Sequence, residues 1–267
     1  MDSLGALGFR AGARSDIGPR RTDNQDSGFA GDRVLLIADG VGGAPAGDVA
    51  SALVVRALAP ALAAAGSLQP ADLFDQVALS NAQLARAGRQ DPDVRGLATT
   101  MTCLALADDG ALIAHIGDSR AYRWRDGDLT QITIDQSWIQ MLLAEGLVQP
   151  DEVRTHPMRN LLMHSLSGAL SDPDALHVLP VDVRDGDRWV LTTDGLSSYL
   201  PAEVFTDLVA RTSDPQDLAD QLVNEAWPRS RDNITVVVGD ISSSAPTGQS
   251  VFVGAAAGAS PDYRLAQ

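Results

Sequence analysis

The stretch VLLIADGVGG, from Val34 to Gly43, joins an apolar run to a group of glycines through one acid. Residues 34–38 are apolar and short, which is typical of a β-strand buried on both faces. Asp39 follows directly, and three of the next four residues are glycine. A carboxylate at such a position must be solvated, paired or bound, because burying it alone costs too much free energy. The stretch therefore indicates a functional group presented at the end of a buried strand.

On both sides of this stretch, short strand patterns alternate with longer helical patterns. Strands are predicted at 34–38, 100–107, 111–117, 120–125, 129–133, 188–193 and 233–241. Helices are predicted at 46–66, 70–88, 137–146, 201–210 and 215–227, and Pro60 should kink or end the first of them. The strands follow one another in hairpin order with helices inserted in pairs. This order predicts an α+β fold, a sandwich of antiparallel sheets, and no βαβα alternation is visible.

The length of 267 residues fits one large domain or two small ones with a substantial core. We place a single domain at residues 1–242. Residues 243–267 are rich in Ser, Gly, Ala and Pro, a composition that predicts a flexible tail. The segment SVFVG at 250–254 could instead dock as a strand, an alternative to which we give less weight.

The composition narrows the classes of function. The chain has 35 acidic and 20 basic residues, a formal net charge of −15, so nucleic acid would be repelled. The single cysteine, Cys103, excludes an internal disulfide, and its apolar surroundings indicate a buried structural residue. There is no apolar run of 18 residues and no secretory signal pattern, so we expect a cytoplasmic protein without a membrane partner.

The chain has five Asp-Gly pairs, and the ordinary role of such a pair is a β-turn. The pairs at 109–110, 126–127 and 185–186 have flanking sequences that fit turns. The pairs that begin at Asp39 and Asp194 differ, because each closes a predicted buried strand and no second strand follows at hairpin distance. These two acids are therefore candidates for a functional site.

Three further acids lie at the ends of strand-like segments, namely Asp26, Asp118 and Asp232. If these ends converge with Asp39 and Asp194, several carboxylates share one place and need cations to stay ionised. Hard oxygen ligands without thiolates or clustered histidines favour Mg²⁺ or Mn²⁺ over zinc. The alternative is that each acid caps a helix or shapes a turn, and spacing alone does not distinguish the two.

Seven motifs in order resemble those of the bacterial metal-dependent type 2C protein serine/threonine phosphatases. The motifs are SDIGPRRTDNQDS (15–27), ADGVGG (38–43), LATTMTCLAL (97–106), HIGDSRAYRWRDGDLTQIT (115–133), HPMRNLLMHSLSG (156–168), LTTDGLSSYL (191–200) and RDNITVVV (231–238). The resemblance extends from about Phe9 to Ile241. It implies a central sandwich of two antiparallel sheets flanked by helix pairs, in the layer order α-β-β-α, with the site at one end.

The resemblance also implies a role for each motif residue. Asp39 would bridge two metal ions, and the backbone carbonyl of Gly40 would bind the second. Asp194 and Asp232 would bind the first ion, and Asp26 would hold metal-bound waters. Asp118 would bind a third ion together with Asp194. The implied cofactors are two or three Mn²⁺ or Mg²⁺ ions.

The implied reaction is hydrolysis of phosphoserine and phosphothreonine in proteins by a metal-bridged hydroxide that attacks phosphorus in line. Arg21 would grip the substrate phosphate, because a guanidinium can hold two oxygens at once. The implied partners are phosphoproteins, including a eukaryote-like Ser/Thr kinase that the enzyme opposes, and we expect a monomer. Val41 stands where eukaryotic members have histidine, so no general acid is assigned there. Ala44 replaces a histidine of many bacterial members, a change that we expect to alter substrate handling or assistance to the leaving group.

Two alternatives belong to other classes of function. One is a non-catalytic module that binds phosphoproteins, against which the complete set of ligand acids argues. The other is a nucleotide-binding regulator that uses ADGVGG as a phosphate loop. That loop lacks the Lys and Ser/Thr of a P-loop. A related enzyme alternative is a regulatory phosphatase with one dedicated partner.

Overall fold

The computed structural model describes residues 7–41, 46–65, 67–108, 110–244 and 250–258. The strands are β1 (Gly8–Asp16), β2 (Asp26–Ala30), β3 (Val34–Asp39), β4 (Met101–Ala107), β5 (Gly110–Ile116), β6 (Arg120–Arg125), β7 (Asp128–Gln131), β8 (His177–Val181), β9 (Arg188–Thr192), β10 (Ile234–Ser242) and β11 (Val251–Gly254). The helices are α1 (Gly47–Ala63), α2 (Pro70–Gln90), α3 (Trp138–Ala144), α4 (Asp194–Ser197), α5 (Ala202–Arg211) and α6 (Pro215–Ala226). No helix within these residues is long and apolar enough to cross a membrane.

The strands form two sheets in which the named strands pair antiparallel. One sheet has the order β1-β10-β9-β6-β7, and the other has the order β11-β2-β3-β4-β5-β8. The register of the second sheet places Asp26 opposite Asp39 at the start of β2 and the end of β3. In the first sheet, Arg120 at the start of β6 lies opposite Thr192 at the end of β9. The start of β2 and the end of β3 therefore lie at one end of the second sheet, and the start of β6 and the end of β9 lie at one end of the first.

Three apolar clusters hold the layers together. The middle cluster lies between the sheets and includes the fully buried Trp189, Phe9 and Leu35. A second cluster joins α1 and α2 to the β3 and β4 face, and a third joins α5 and α6 to the β9 and β10 face. Burial of this apolar area is the main stabilising contribution. The predicted α+β sandwich with flanking helix pairs is confirmed.

All seven predicted strands and all five predicted helices form, with ends shifted by a few residues. Pro60 lies in the last turn of α1, and the helix continues to Ala63 instead of ending at the proline. Asp126 and Gly127 both have positive φ, at 53° and 87°, as a tight hairpin turn requires. Gly186 also has a positive φ, whereas Asp109 lies outside the described residues.

Four strands are absent from the sequence prediction. β1 contains two arginines and two glycines, β2 is five residues long and begins with an acid, and β8 is an exposed edge strand that contains Pro180. Such segments have weak β-propensity on their own, and their pairing with neighbouring strands forms them.

The fourth strand, β11, corrects the prediction of a flexible tail. Residues Val251–Gly254 pair with β2, and a short 3₁₀ turn at Ala255–Ala257 follows. Phe252 stacks against Phe29 with ring centroids 4.8 Å apart, and the Arg56 guanidinium lies 5.7 Å from its ring centre. The prediction of a flexible tail is therefore wrong for residues 250–258, and the alternative of a docked strand is observed. Residues 245–249 and 259–267 lie outside the described residues.

We expect deletion of residues 245–267 to destabilise the domain, because it uncovers Phe29 and exposes the edge of β2. Loss of an aromatic contact and several hydrogen bonds costs about 3 kcal/mol, or roughly 6–12 °C in Tm. Differential scanning calorimetry measures this change. Phe252→Ala in the full chain should give part of the effect, and an unchanged Tm in the deletion would show that β11 adds nothing.

Candidate metal centre

The five acids at strand ends lie around one end of the sandwich. Asp26 begins β2 and Asp39 ends β3, where they face each other in the register. Asp118 and Asp194 come two residues after β5 and β9, and Asp232 comes two residues before β10. A hydrogen bond from the Thr193 hydroxyl to Asp26 Oδ2, at 2.8 Å, joins the two sheets at this end. The convergence that spacing alone could not show is therefore present in the fold.

The backbone of Asp39 is held by the two threonines that precede β4. Its amide donates to Thr100 Oγ1 at 3.0 Å, and its carbonyl accepts from the Thr99 hydroxyl at 2.9 Å and from the Thr100 amide at 2.8 Å. The Thr100 hydroxyl also contacts Ser119 Oγ at 2.9 Å. Ser119 follows Asp118 directly, so one network of hydroxyls connects the backbones that carry Asp39 and Asp118.

Asn233 holds the loop that carries Arg21. Its side-chain amide donates to the carbonyls of Ile17 and Asp23 at 2.9 and 2.8 Å. Its side-chain oxygen accepts from the Gln25 amide at 2.9 Å. A single buried side chain thus fixes three points of the loop between β1 and β2.

Two glycines allow the loops around the acids to approach closely. Gly18 has φ 74°, and a Cβ atom there would lie 2.1 Å from the carbonyl oxygen of Asp232. A Cβ atom on Gly195 would lie 1.8 Å from the carbonyl oxygen of Asn233. Any larger residue at either position would separate the segments, so these glycines bring Asp194 and Asp232 to the same place.

Burial and mutual repulsion raise the pKa values of the acids. Burial is the largest cause for Asp39 and Asp194, whose pKa values lie well above the usual range, and neighbouring carboxylates add to it. Burial also raises the pKa of Asp26, and the net value is about 7 because the hydrogen bond from the Thr193 hydroxyl partly opposes the rise. The pKa of Asp118 rises to about 7 through burial and the Asp135 charge, with Arg120 opposing. A nearby cation would reverse these shifts.

The donor set fits a hard divalent cation in its chemistry. All five side chains offer carboxylate oxygens, and four of them raise the pKa of Asp39 from within electrostatic reach. In the described part of the chain, however, no three His, Cys, Asp or Glu side chains are grouped closely enough to hold a metal ion. The acids are thus gathered at one end of the sandwich without enclosing a common point.

Arg21 and Gly40, the remaining predicted site residues, lie beside the acids. Arg21 Nη2 contacts Asp232 Oδ2 at 2.7 Å, and it lies close enough to Asp194 to lower the pKa of that acid. The amide of Gly40 donates to the Gln25 carbonyl at 3.1 Å, so Gly40 is tied to the same loop. Gly42, Gly43 and Ala44 lie outside the described residues.

The structure adds positioning residues to which the sequence alone gave no role. Thr193 directly precedes Asp194. Asn233 directly follows Asp232, and Ser119 directly follows Asp118. In the sequence, only their position next to a candidate acid could have indicated this role. His115 and Cys103 are buried structural residues: His115 bonds to Thr102 at 2.9 Å, and burial raises the pKa of the Cys103 thiol to about 12.

Known proteins match most of the chain. Residues 20–225 match the family model described as protein phosphatase 2C. The serine/threonine protein phosphatase PstP of Mycobacterium tuberculosis is 39% identical over 242 residues, which are 88% of this chain and 45% of that protein. The chain therefore spans less than half the length of this relative. Protein phosphatase PhpP of Streptococcus pneumoniae is 32% identical and is matched over 94% of its length, by 84% of this chain.

Solved structures agree with the fold. A crystal structure of the Mycobacterium tuberculosis phosphatase PstP/Ppp superposes with a TM-score of 0.82 at 39% identity, covering 88% of this chain and 99% of that one. The catalytic domain of PstP in complex with two manganese ions gives a TM-score of 0.81 at 37% identity, covering 89% and 100%. With the ordered motifs, the strand-end acids and the α-β-β-α layers, these matches show that the chain belongs to the protein phosphatase 2C family.

Proposed function

We propose that the protein hydrolyses phosphoserine and phosphothreonine in other proteins with the help of Mn²⁺ or Mg²⁺. One observation carries the proposal, namely the five carboxylates gathered at one end of the sandwich with Arg21 beside them. Family membership and the names of the relatives support it, since PstP is called a serine/threonine protein phosphatase.

Each acid has a proposed part in holding two or three divalent ions. Asp39 would bridge two of them with help from the Gly40 carbonyl, and Asp194 and Asp232 would bind the first. Asp26 would hold waters around the ions, and Asp118 would share a third ion with Asp194. When bound, such ions activate a water for in-line attack on phosphorus and neutralise the charge that develops on the phosphate. The structure of the PstP catalytic domain in complex with two manganese ions supports the choice of a divalent metal.

The chain's own residues would bind and orient the substrate phosphate. The Arg21 guanidinium can form two hydrogen bonds to phosphate oxygens, which gives orientation as well as charge. Its present partner is Asp232 Oδ2, at 2.7 Å. Arg21 would therefore exchange a carboxylate partner for the phosphate when Asp232 is engaged by a metal. The hydrogen bonds of Asn233 hold the Arg21 loop in place for this exchange.

The proposed partners are phosphorylated proteins, including a eukaryote-like Ser/Thr kinase whose phosphorylation the enzyme would reverse. The acidic net charge of −15 fits protein substrates better than nucleic acid. We propose that the protein acts as a monomer. The related enzyme alternative, action on one dedicated partner, uses the same chemistry and differs only in the range of substrates.

We expect the protein to release phosphate from a phosphothreonine peptide when Mn²⁺ is present. EDTA should abolish turnover, added Mn²⁺ should restore it, and Asp194→Ala should remove it in both conditions because a metal ligand is lost. Phosphate release over time measures all three. Metal-independent turnover, or none at all, would contradict the proposal. Absence of Mn²⁺ binding in calorimetry together with no turnover would favour the non-catalytic phosphoprotein-binding module.

A further inference from the structure

A cleft of about 920 Å³ opens beside the acids. Asp118 and Asp194 are among its lining residues, and Ile139, Leu200 and Pro201 give it an apolar part. The cleft is large enough for several residues of an extended peptide, since ligand pockets commonly measure roughly 300–1,000 Å³. A phosphoresidue placed at the acids would therefore have its neighbours in this cleft.

Arginines are concentrated in the walls of this cleft. All 20 basic residues of the chain are arginine, and five of them line it. They are Arg120, Arg154, Arg159, Arg229 and Arg231. Arg154 lies in a 3₁₀ turn at Val153–Thr155, whereas Arg229 and Arg231 lie in the loop between α6 and β10. Two segments distant in sequence thus supply cations to one cleft.

The five arginines differ in their partners. Asp135 Oδ2 accepts a hydrogen bond from Arg120 Nη2 at 2.7 Å, so the charge of Arg120 is compensated. Glu225 pairs with Arg229 at 2.8 Å. Within the described residues, neither Arg154 nor Arg231 has a carboxylate within salt-bridge distance, and both are exposed.

Arg159 connects the cleft wall to the acidic end. Arg159, Tyr199 and Asp194 all line the cleft. Burial raises the pKa of Tyr199, the charges of Asp194 and Asp232 add to the rise, and the charge of Arg159 opposes it. The arginines of the cleft therefore lie next to the acids at the end of the sandwich. They do not form a separate patch elsewhere on the surface.

Other exposed arginines of the described chain, such as Arg95, also lack a salt bridge, so the absence of a carboxylate partner does not by itself mark a binding site. What sets Arg154 and Arg231 apart is their position in the wall of a cleft that Asp118 and Asp194 also line. Arginine binds carboxylate and phosphate oxygens in pairs, and exposed cationic walls attract anions at long range. A solvated face would account for an exposed arginine elsewhere on the surface. Two exposed arginines from different segments that line one cleft beside the acids point to an anionic ligand.

We propose that Arg154 and Arg231 bind an anionic group of the substrate peptide that lies close in sequence to the phosphoresidue being hydrolysed. The group is a second phosphate or an Asp or Glu side chain, since both offer paired oxygens. This inference rests on the proposed phosphatase function, which it extends to a class of substrate.

The test measures hydrolysis of three phosphothreonine peptides of equal length by the 267-residue chain with Mn²⁺. One has neutral flanking residues, one has flanking Asp and Glu residues, and one has a second phosphothreonine. We expect kcat/KM to be about tenfold higher for at least one anionic peptide than for the neutral peptide. Whichever anionic peptide gives the larger ratio identifies the source of the anion.

The double variant Arg154→Gln/Arg231→Gln should bring this ratio close to one, because the two cations are removed. The ratio within one variant cancels any change in basal turnover that Arg231 causes through its neighbour Asp232. Arg95→Gln is a matched control, since Arg95 is exposed and does not line the cleft. Arg154→Lys/Arg231→Lys should keep part of the ratio, and higher salt should reduce it in the original protein.

Equal kcat/KM for all three peptides would overturn the inference while leaving the phosphatase function intact. A ratio that survives the double variant would overturn it as well. If no peptide is hydrolysed, the proposed function fails, and fluorescence anisotropy of the same labelled peptides then decides the inference. Tighter binding of an anionic peptide that the double variant loses would support it, and equal binding would contradict it.

Discussion

The variant Asp39→Asn is expected to lose about a thousandfold or more in kcat/KM with Mn²⁺, because an amide oxygen cannot bridge two cations as a carboxylate can. Metal ions contribute several kcal/mol to the transition state, and about 4 kcal/mol corresponds to a thousandfold in rate. Phosphate release from a phosphothreonine peptide at saturating Mn²⁺ measures the loss. Normal Mn²⁺-dependent turnover in Asp39→Asn would show that the bridging role is wrong.

The matched control is Asp126→Asn, which changes the acid of another Asp-Gly pair. Asp126 is exposed in the hairpin turn between β6 and β7 and has φ 53°, a conformation that asparagine also adopts. We therefore expect unchanged turnover and unchanged stability in this variant. A comparable loss in both variants would mean that the effect of Asp39→Asn is not specific to the acidic end.

The Asp39→Asn variant should be more stable than the original protein when metal is removed at neutral pH. Burial and neighbouring acids raise the pKa of Asp39, so its neutral form is favoured in the folded state. The stability that this gives is present below the unfolded pKa of about 3.9 and is lost as pH rises through the folded pKa. Asparagine stays neutral at every pH and keeps that stability.

Scanning calorimetry in EDTA between pH 4 and 8 checks this expectation. The folded pKa values of Asp26 and Asp118 are about 7, so the decline of Tm in the original protein should extend to about pH 7. His115 acts in the opposite direction, because burial lowers its pKa to about 4 and its stability is lost as pH falls. His115 contributes equally in EDTA and in Mn²⁺, so its contribution cancels when the Tm values in the two conditions are subtracted. A decline in Asp39→Asn as steep as in the original protein would contradict the argument.

Asn233→Ala is expected to lower both stability and activity, because it removes all three hydrogen bonds that hold the Arg21 loop. Each such bond contributes about 1 kcal/mol net, which gives a loss of about 3 kcal/mol and roughly 6–12 °C in Tm. Release of the loop also frees Arg21 and the start of β2. We expect kcat/KM to fall by about 10- to 100-fold, the usual loss when a residue that holds metal ligands in place is mutated.

Asn224→Ala is the control for this prediction, since Asn224 is exposed on α6. Activity should be measured well below the Tm of the Asn233→Ala variant, so that unfolding does not account for the loss. Asn233→Asp serves as a second variant, because its carboxylate keeps the acceptor for the Gln25 amide and loses the two donors. It also adds a negative charge next to Asp232, so it should be at least as destabilising as Asn233→Ala when metal is absent. Full activity in a folded Asn233→Ala protein would show that the loop holds its place without this side chain.

Much of the fold could be predicted because its signals are local. The apolar run at 34–38 and the alternating β6 segment indicated strands without any knowledge of their partners. β2 and β8 gave no such signal, because their pairing with β3 and β5 forms them. The tail was predicted flexible from composition, yet the Phe252 side chain finds Phe29 on a distant strand. Composition reports average solubility and does not show whether a partner surface exists.

The sequence by itself determined that acids stand at strand ends and in what order, because turn chemistry and hydrophobic period act over a few residues. Only the tertiary structure brought these acids together, through contacts such as Thr193 with Asp26, 167 residues apart. It alone placed Asn233 against Ile17, 216 residues away, and set Arg154 and Arg231 in the walls of one cleft. The reason is that packing of two sheets, and no local preference, decides which loops share one end of the sandwich.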